Sequence, residues 1–192
     1  SFKDTSLAEQ LSDSFARCYI VDPVCDLGII EFTQSIEIVQ SRLNRDNGVA
    51  LLEKLGKQQD LVIARHIIEH LYSEEDFFNF IKTILSPNGI LVIEIPDCSK
   101  QISSGDVTML WEEHTFYFTK QTGELFLERN GFNVLYSWRY ENAVEDSIVY
   151  IAERSGCKKQ QISSPLDEQY IADIYEYPVK IHKRTQYLKS LI

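Results

Sequence analysis

Apolar and polar positions follow one another along the chain in blocks that predict strands and helices in turn. Unbroken apolar runs are typical of strands covered on both faces, and apolar positions three to four residues apart indicate amphipathic helices. The predicted strands cover residues 17–21, 36–39, 61–64 and 90–95. The predicted helices cover residues 5–14, 49–55 and 120–130, with one more that follows Ser73. This alternation is characteristic of a βαβ layer fold.

The helix after Ser73 has the clearest local signals. Ser73 is a favourable N-cap, and the three acidic residues that follow it suit the positive end of the helix dipole. The helix is expected to end at the turn sequence of residues 86–89, and a later helix at Gly131. The apolar residues that should face inward from the first of these helices are Phe77, Phe80, Ile81 and Ile84.

The C-terminal part of the pattern differs from the rest. Residues 134–138 and 147–152 read as an antiparallel closing pair, so the predicted fold class is α/β: a Rossmann-like, mostly parallel sheet with helices on both faces and an antiparallel C-terminal strand pair. Residues 1–155 are assigned to this domain. Residues 156–192 begin with a polar linker and continue as a helix over 171–192, which predicts a tail or the start of a further domain.

Composition excludes several classes of function. The net charge of −10, without a cluster of Lys or Arg, argues against nucleic-acid binding. No apolar run approaches the ~20 residues of a membrane-spanning helix, so no membrane association is expected. The four cysteines are scattered and none is spaced as in a zinc site, which predicts reduced thiols in a cytoplasmic protein and no bound metal.

Two Glu-His pairs carry the candidate chemistry. Glu69-His70 follows the apolar strand that begins at Asp60, and Glu113-His114 follows the strand over 90–95. Ligands of open parallel sheets bind beyond the carboxyl ends of the strands, so both pairs should reach the same edge. Such pairs would place proton-transfer groups beside a substrate, which favours an enzyme. The alternative for either histidine is a structural role, anchoring a loop or capping a helix.

The region from residue 60 to residue 152 resembles the class I S-adenosylmethionine-dependent methyltransferases. Within it, Glu113-His114-x-x-x-Phe118, followed by a helix and Gly131-Phe132, is similar to the sugar C-methyltransferases that act on nucleotide-linked deoxysugars. The resemblance covers about residues 1–155. It implies S-adenosylmethionine as cofactor, a small-molecule acceptor such as a nucleotide-linked keto-sugar, and a first strand that precedes residue 1.

The resemblance also implies roles for individual residues. His114, Glu113 and His70 match catalytic positions: a base removes the proton next to a keto group, and the resulting enolate carbon takes the methyl group. Asp22 stands where these enzymes place the acid that accepts hydrogen bonds from ribose hydroxyls, although Asp-Pro alone could simply begin a turn. The residues expected to bind cofactor are Asp4, Asp22, Pro23, Arg65 and His66.

The sequence departs from the family at two places. Ser1, Lys3 and Thr5 stand where a Gly-x-Gly-x-Gly turn is expected, and Trp111 stands where relatives often have tyrosine. The altered turn keeps open a methyltransferase fold that has lost its cofactor site and acts as a binding or scaffold module. An O-methyltransferase of another small metabolite is a further alternative. A nicotinamide enzyme is disfavoured, since no Gly-x-Gly-x-x-Gly stretch occurs. The oligomeric state is left open.

Overall fold

A computed structural model of the chain describes residues 6–22, 36–141, 145–156 and 167–191. The strands in this part are β1 (Cys18–Asp22), β2 (Ile36–Gln40), β3 (Gln59–Arg65), β4 (Leu85–Pro96), β5 (Phe132–Tyr140) and β6 (Ser147–Arg154). The α-helices are α1 (Ser6–Ser12), α2 (Arg45–Leu55), α3 (Glu74–Ile84), α4 (Ser99–Ser104), α5 (Lys120–Arg129) and α6 (Glu168–Ser190). One turn of 3-10 helix covers Ile68–His70.

The strand pairing combines parallel and antiparallel ladders. β1 pairs with β2 and β3 with β4 in parallel, whereas β6 lies antiparallel between β4 and β5. The predicted α/β class and its antiparallel closing pair are therefore confirmed. In place of one continuous sheet, the described strands form a two-stranded sheet, β1-β2, and a four-stranded sheet, β3-β4-β6-β5, because no described strand joins β1 to β3.

The hydrophobic core forms where α3 covers the four-stranded sheet. The predicted inward residues of α3 are buried, and Phe78 is buried with them. The Phe78 ring contacts the rings of Phe126 on α5 and Phe132 on β5, at centroid distances of 5.5 and 5.6 Å. Each aromatic side chain removed from water in this way stabilises the fold by about 1.5–3 kcal/mol. The core thereby fixes α3 and α5 against the strands whose ends carry the candidate site.

Several local predictions differ from the structure. α2 begins at Arg45 rather than at residue 49, because the Asn44 side chain accepts a hydrogen bond from the amide of Asn47 and caps the helix earlier. Residues 86–89, predicted as a turn, lie inside β4, and the ladder with β3 shifts register there. The 3-10 turn and α4 were not predicted, since both are too short to show a period.

The C-terminal helix contacts the rest of the structure, although the sequence suggests no packing partner for it. The Tyr177 hydroxyl donates to the carbonyl of Asp106 at 2.8 Å, and Lys180 Nζ donates to the carbonyl of Ser103 at 2.9 Å. Tyr170 and Tyr177 also pack on a small buried cluster that consists of Cys98, Ile102 and Met109. Among the described residues, no helix is both long enough and apolar enough to cross a membrane.

The contact between Gly123 of α5 and Tyr150 of β6 leads to a stability prediction. A Cβ added at Gly123 would lie 2.7 Å from Cζ of the fully buried Tyr150 and closer still to its hydroxyl oxygen. Gly123→Ala should therefore lower the free energy of unfolding by about 1–3 kcal/mol, the usual cost of overpacking. Gly156→Ala is the matched control, because nothing lies within 4 Å of its added Cβ. Urea denaturation measures both; equal stabilities would contradict the close contact.

Candidate active site

The carboxyl ends of the parallel strands bring the predicted histidines together. β3 ends at Arg65 and is followed by His66 and the 3-10 turn, while the chain that leaves β4 returns to the same edge at His114. The rings of His70 and His114 meet edge to face, with their centroids 4.7 Å apart. Two histidines that are distant in sequence therefore form one cluster at the edge where parallel sheets bind ligands.

Main-chain hydrogen bonds hold the two segments of this cluster together. The amides of Thr115 and Phe116 both donate to the carbonyl of Glu69, at 2.7 and 3.2 Å. The Thr115 hydroxyl donates to the carbonyl of Leu71 at 2.6 Å. At the far end of the loop, the amide of Cys98 donates to the carbonyl of Phe118 at 2.8 Å. The loop that carries His114 is thus anchored both to the 3-10 turn and to the end of β4.

His114 lies against aromatic rings. The Trp111 ring stacks on it at 5.7 Å with an interplanar angle of 19°, and the Tyr117 ring lies 6.1 Å away. Burial, followed by the neighbouring His70, lowers the pKa of His114 below its ordinary value. The imidazole is therefore predominantly neutral near pH 7, as a proton acceptor must be. Trp111 is 61% exposed and can form an open wall, whereas Phe118 is buried in the core.

His70 is oriented by the main chain of Glu113. Its Nδ1 lies 3.1 Å from the carbonyl oxygen of Glu113. A carbonyl only accepts hydrogen bonds, so Nδ1 carries the proton in this contact. Nε2 lies on the other side of the ring, 4.0 Å from Oε1 of Glu69. The hydrogen bond to His70 therefore comes from the main chain of Glu113, and the Glu113 side chain is exposed.

Glu69 belongs to one of the two predicted Glu-His pairs, but the family resemblance assigns it no role. It is only 1% exposed, and neither carboxylate oxygen has a hydrogen-bond partner in the described part of the chain. His66 Nδ1 approaches Oε1 at 3.3 Å. The sequence places Glu69 beside His70, but adjacency alone does not reveal that its carboxylate is buried and faces the imidazoles.

The predicted cofactor residues Arg65 and His66 are held by carboxylates. Arg65 Nε contacts Glu94 Oε2 at 2.5 Å, and His66 Nε2 lies 3.4 Å from Glu94 Oε1. His66 has a φ of 52°, in the left-handed region that a side chain disfavours, and its amide donates to the Glu94 carbonyl at 2.9 Å. The contact with the Glu69 carboxylate raises the pKa of His66, against the opposing effect of burial.

Of the three other predicted cofactor residues, the structure describes only Asp22. Asp22 ends β1 and is 2% exposed, so an acid does stand at the carboxyl end of a parallel strand, as the sequence predicts. Asp4 and Pro23 lie outside the described residues. The catalytic and cofactor roles of all these residues remain predictions.

A second group of charges fixes the ends of β4 and β6. Arg139 Nε contacts Asp97 Oδ2 at 2.8 Å, and its Nη2 contacts Asp146 Oδ2 at 2.9 Å. Lys100 Nζ lies 2.7 Å from the same oxygen of Asp146. Both aspartates are buried. Sequence patterns do not predict this network, because its members come from the residue after β4, from β5, from α4 and from the residue before β6.

Comparison with known proteins agrees with the fold. The family described as a methyltransferase domain matches residues 4–137, which is more than half of the chain. The chain therefore belongs to the methyltransferase-domain family. None of the curated proteins that were searched matches it.

Solved structures are similar in fold at low sequence identity. An S-adenosylmethionine-dependent methyltransferase from Anabaena variabilis is 12% identical, with a TM-score of 0.57; the match covers 78% of this chain and 72% of that one. Magnesium protoporphyrin IX methyltransferase from Synechocystis, with bound S-adenosylhomocysteine, is 16% identical, with a TM-score of 0.52 over 78% and 69%. LepI in complex with S-adenosylmethionine is 10% identical, with a TM-score of 0.53 over 78% and 39%. At these identities the likeness establishes the fold.

The ion pairs of Arg139 lead to a prediction about the stability of the fold at this edge of the sheet. Arg139→Ala would remove the arginine from the two buried aspartates, Asp97 and Asp146, and would leave Lys100 in contact with Asp146. Breaking a buried ion pair in this way should lower the free energy of unfolding by about 3 kcal/mol. Arg129→Ala removes an exposed arginine that pairs with Glu74, and should cost less than about 1 kcal/mol. Thermal or urea unfolding compares the two variants, and equal losses would refute the buried network.

Proposed function

We propose that this protein transfers a methyl group from S-adenosylmethionine to a small-molecule acceptor. The observation that carries the proposal is the contact between His70 and His114 at the carboxyl edge of the sheet, in a chain that belongs to the methyltransferase-domain family. Similar folds have been solved with S-adenosylmethionine or S-adenosylhomocysteine bound, which supports the choice of cofactor. Family membership supports methyl transfer as the class of reaction. Asp22, Arg65, His66 and His114 are the residues that this chain would contribute to that reaction.

Asp22 is the residue best suited to hold the cofactor. Its carboxylate is buried at the carboxyl end of β1, the position at which an acid would accept hydrogen bonds from ribose hydroxyls. Arg65 ends β3 and His66 follows it, and both belong to the expected binding surface, with Asp4 and Pro23 from the predicted set. S-adenosylmethionine, when bound, supplies an electrophilic methyl group on its sulfonium.

His114 is the proposed general base. Its neutral imidazole can accept the acceptor proton, and the rings of Trp111 and Tyr117 limit the access of water. For the finer specificity we propose C-methylation of a nucleotide-linked keto-sugar, in which the proton comes from the carbon beside the keto group. In that reaction the exposed ring of Trp111 would stack on the sugar or the base, and the exposed carboxylate of Glu113 would bind a hydroxyl.

Cofactor binding tests the first part of the proposal. Titration of the full-length protein with S-adenosylhomocysteine, followed by calorimetry, should give saturable one-to-one binding. Asp22→Asn keeps the shape of the side chain but removes the charge, and should weaken binding by about 10–100-fold, the value of one to two charge-assisted hydrogen bonds. Asp46→Asn, an exposed aspartate at the start of α2, should leave the affinity unchanged.

The opposite result has a definite meaning. If neither S-adenosylmethionine nor S-adenosylhomocysteine binds at millimolar concentration, methyl transfer is ruled out. The absence of the expected glycines at Ser1, Lys3 and Thr5 would then mark a fold that has lost its cofactor site and acts by binding a partner.

Methyl transfer itself is tested with radiolabelled cofactor and a panel of nucleotide-linked keto-sugars. His114→Gln should lower kcat by about 10²–10⁴-fold, the usual contribution of a positioned general base, with cofactor affinity retained. His182→Gln, on the exposed side of α6, is the matched control and should keep full activity. Nuclear magnetic resonance of the product identifies the methylated atom: a methyl group on oxygen would replace the C-methylation proposal with O-methylation.

A further inference from the structure

The buried carboxylate of Glu69 lies among imidazoles, and methyl transfer alone does not explain this arrangement. The carboxylate is almost fully buried, and neither oxygen has a hydrogen-bond partner in the described part of the chain. Burying a carboxylate in this way is costly unless positive charge lies close to it. The groups that face it are imidazoles: His66 Nδ1 at 3.3 Å and His70 Nε2 at 4.0 Å from Oε1, with His114 beside His70.

The side chains around this carboxylate have the composition of a metal site. One ligand atom from each of Glu69, His70 and His114 lies within 4.8 Å of the other two. Two imidazole nitrogens and one carboxylate oxygen are a donor set of catalytic zinc sites, which leave a fourth position open, and imidazole also suits other first-row transition metals. The rings of His70 and His114 are both only half-buried, which leaves their side chains room to adjust toward one ion.

The hydrogen bond that orients His70 is the one expected of a histidine that binds a metal. A histidine that binds a metal usually donates its other ring N–H to a carbonyl or a carboxylate, which fixes the tautomer. His70 Nδ1 makes this contact with the main-chain carbonyl of Glu113, at 3.1 Å. The lone pair of the other nitrogen is thereby directed to the side of the ring where Glu69 lies.

We propose that Glu69, His70 and His114 form a binding site for a divalent transition-metal ion, with a coordination position open to an acceptor oxygen. The site does not depend on the cofactor, so the inference goes beyond methyl transfer. An ion and a proton would compete for the lone pair of His114. In the ion-bound protein, therefore, His114 would hold the ion and could not act as the base, and the ion would supply stabilisation of negative charge on an acceptor oxygen.

Direct metal binding tests the proposal without reference to catalysis. The full-length protein, freed of any histidine tag and treated with chelator, is titrated with Zn²⁺ by calorimetry and with Co²⁺ by visible absorption. One ion should bind per chain, and Mg²⁺, which prefers oxygen ligands, should not compete. His114→Ala and Glu69→Gln should each weaken Zn²⁺ binding more than about 100-fold, beyond the usual effect of changing an outer-shell group.

Two control variants change the same residue types, histidine and glutamate, outside the proposed metal ligands. His182→Ala removes the histidine on α6, and Glu113→Gln keeps the main-chain carbonyl that orients His70. Both should bind Zn²⁺ as the unaltered protein does. Circular dichroism verifies that each variant is folded, and His114→Ala decides the test if Glu69→Gln does not fold.

Three results would each overturn the proposal. The first is failure of the unaltered protein to bind Zn²⁺ or Co²⁺, in which case His66 is left as the counter-charge of Glu69. The second is binding that His114→Ala leaves unchanged. The third is a sulfur-to-cobalt charge-transfer band, which would assign the ion to a cysteine. Because no cofactor is present in these experiments, their outcome is separate from that of the cofactor titration.

Discussion

The hydrogen bonds from the amides of Thr115 and Phe116 to the carbonyl of Glu69 join the two segments on which the candidate site depends. One acceptor oxygen thereby holds the loop after α4 against the 3-10 turn after β3. His70 and His114 are placed ring against ring as a result, and the Glu69 side chain stays on the buried side of the turn. Main-chain contacts of this kind set the geometry without using the side chains, which remain available for chemistry.

Balance of buried charge is the second constraint on this edge of the sheet. Asp97 and Asp146 are matched by Arg139 and Lys100, whose guanidinium and ammonium groups lie within 3 Å of the carboxylates. Glu69, in contrast, faces only imidazoles among the groups described here. An imidazole can be neutral, protonated or bound to a metal, so this part of the edge can change its charge state while the network around Arg139 cannot. That difference separates the part of the edge that supports the fold from the part suited to chemistry.

Membership in the methyltransferase-domain family and the chemistry of the edge contribute different information. The family and the similar solved structures establish how the strands are arranged, at identities of 10–16% for the structures compared. They do not identify the acceptor. The proposed base and acceptor rest instead on His114 and its aromatic neighbours, and the proposed metal site rests on the buried Glu69.

The sequence by itself determined the elements whose signals are local. Ser73 does cap α3, because its hydroxyl and the acidic residues after it act within one turn, and the apolar residues of that helix point inward as their spacing predicts. The α/β class followed from the order of these elements, and the expectation that two histidines meet at one edge followed from the rule that ligands bind at the carboxyl ends of parallel strands. Only the tertiary structure decided that Glu69 is buried, that Asp22 ends β1 with almost no exposure, and that Arg139 joins two aspartates. Burial and ion pairing depend on which distant segments cover a side chain, and no periodicity along the chain records that.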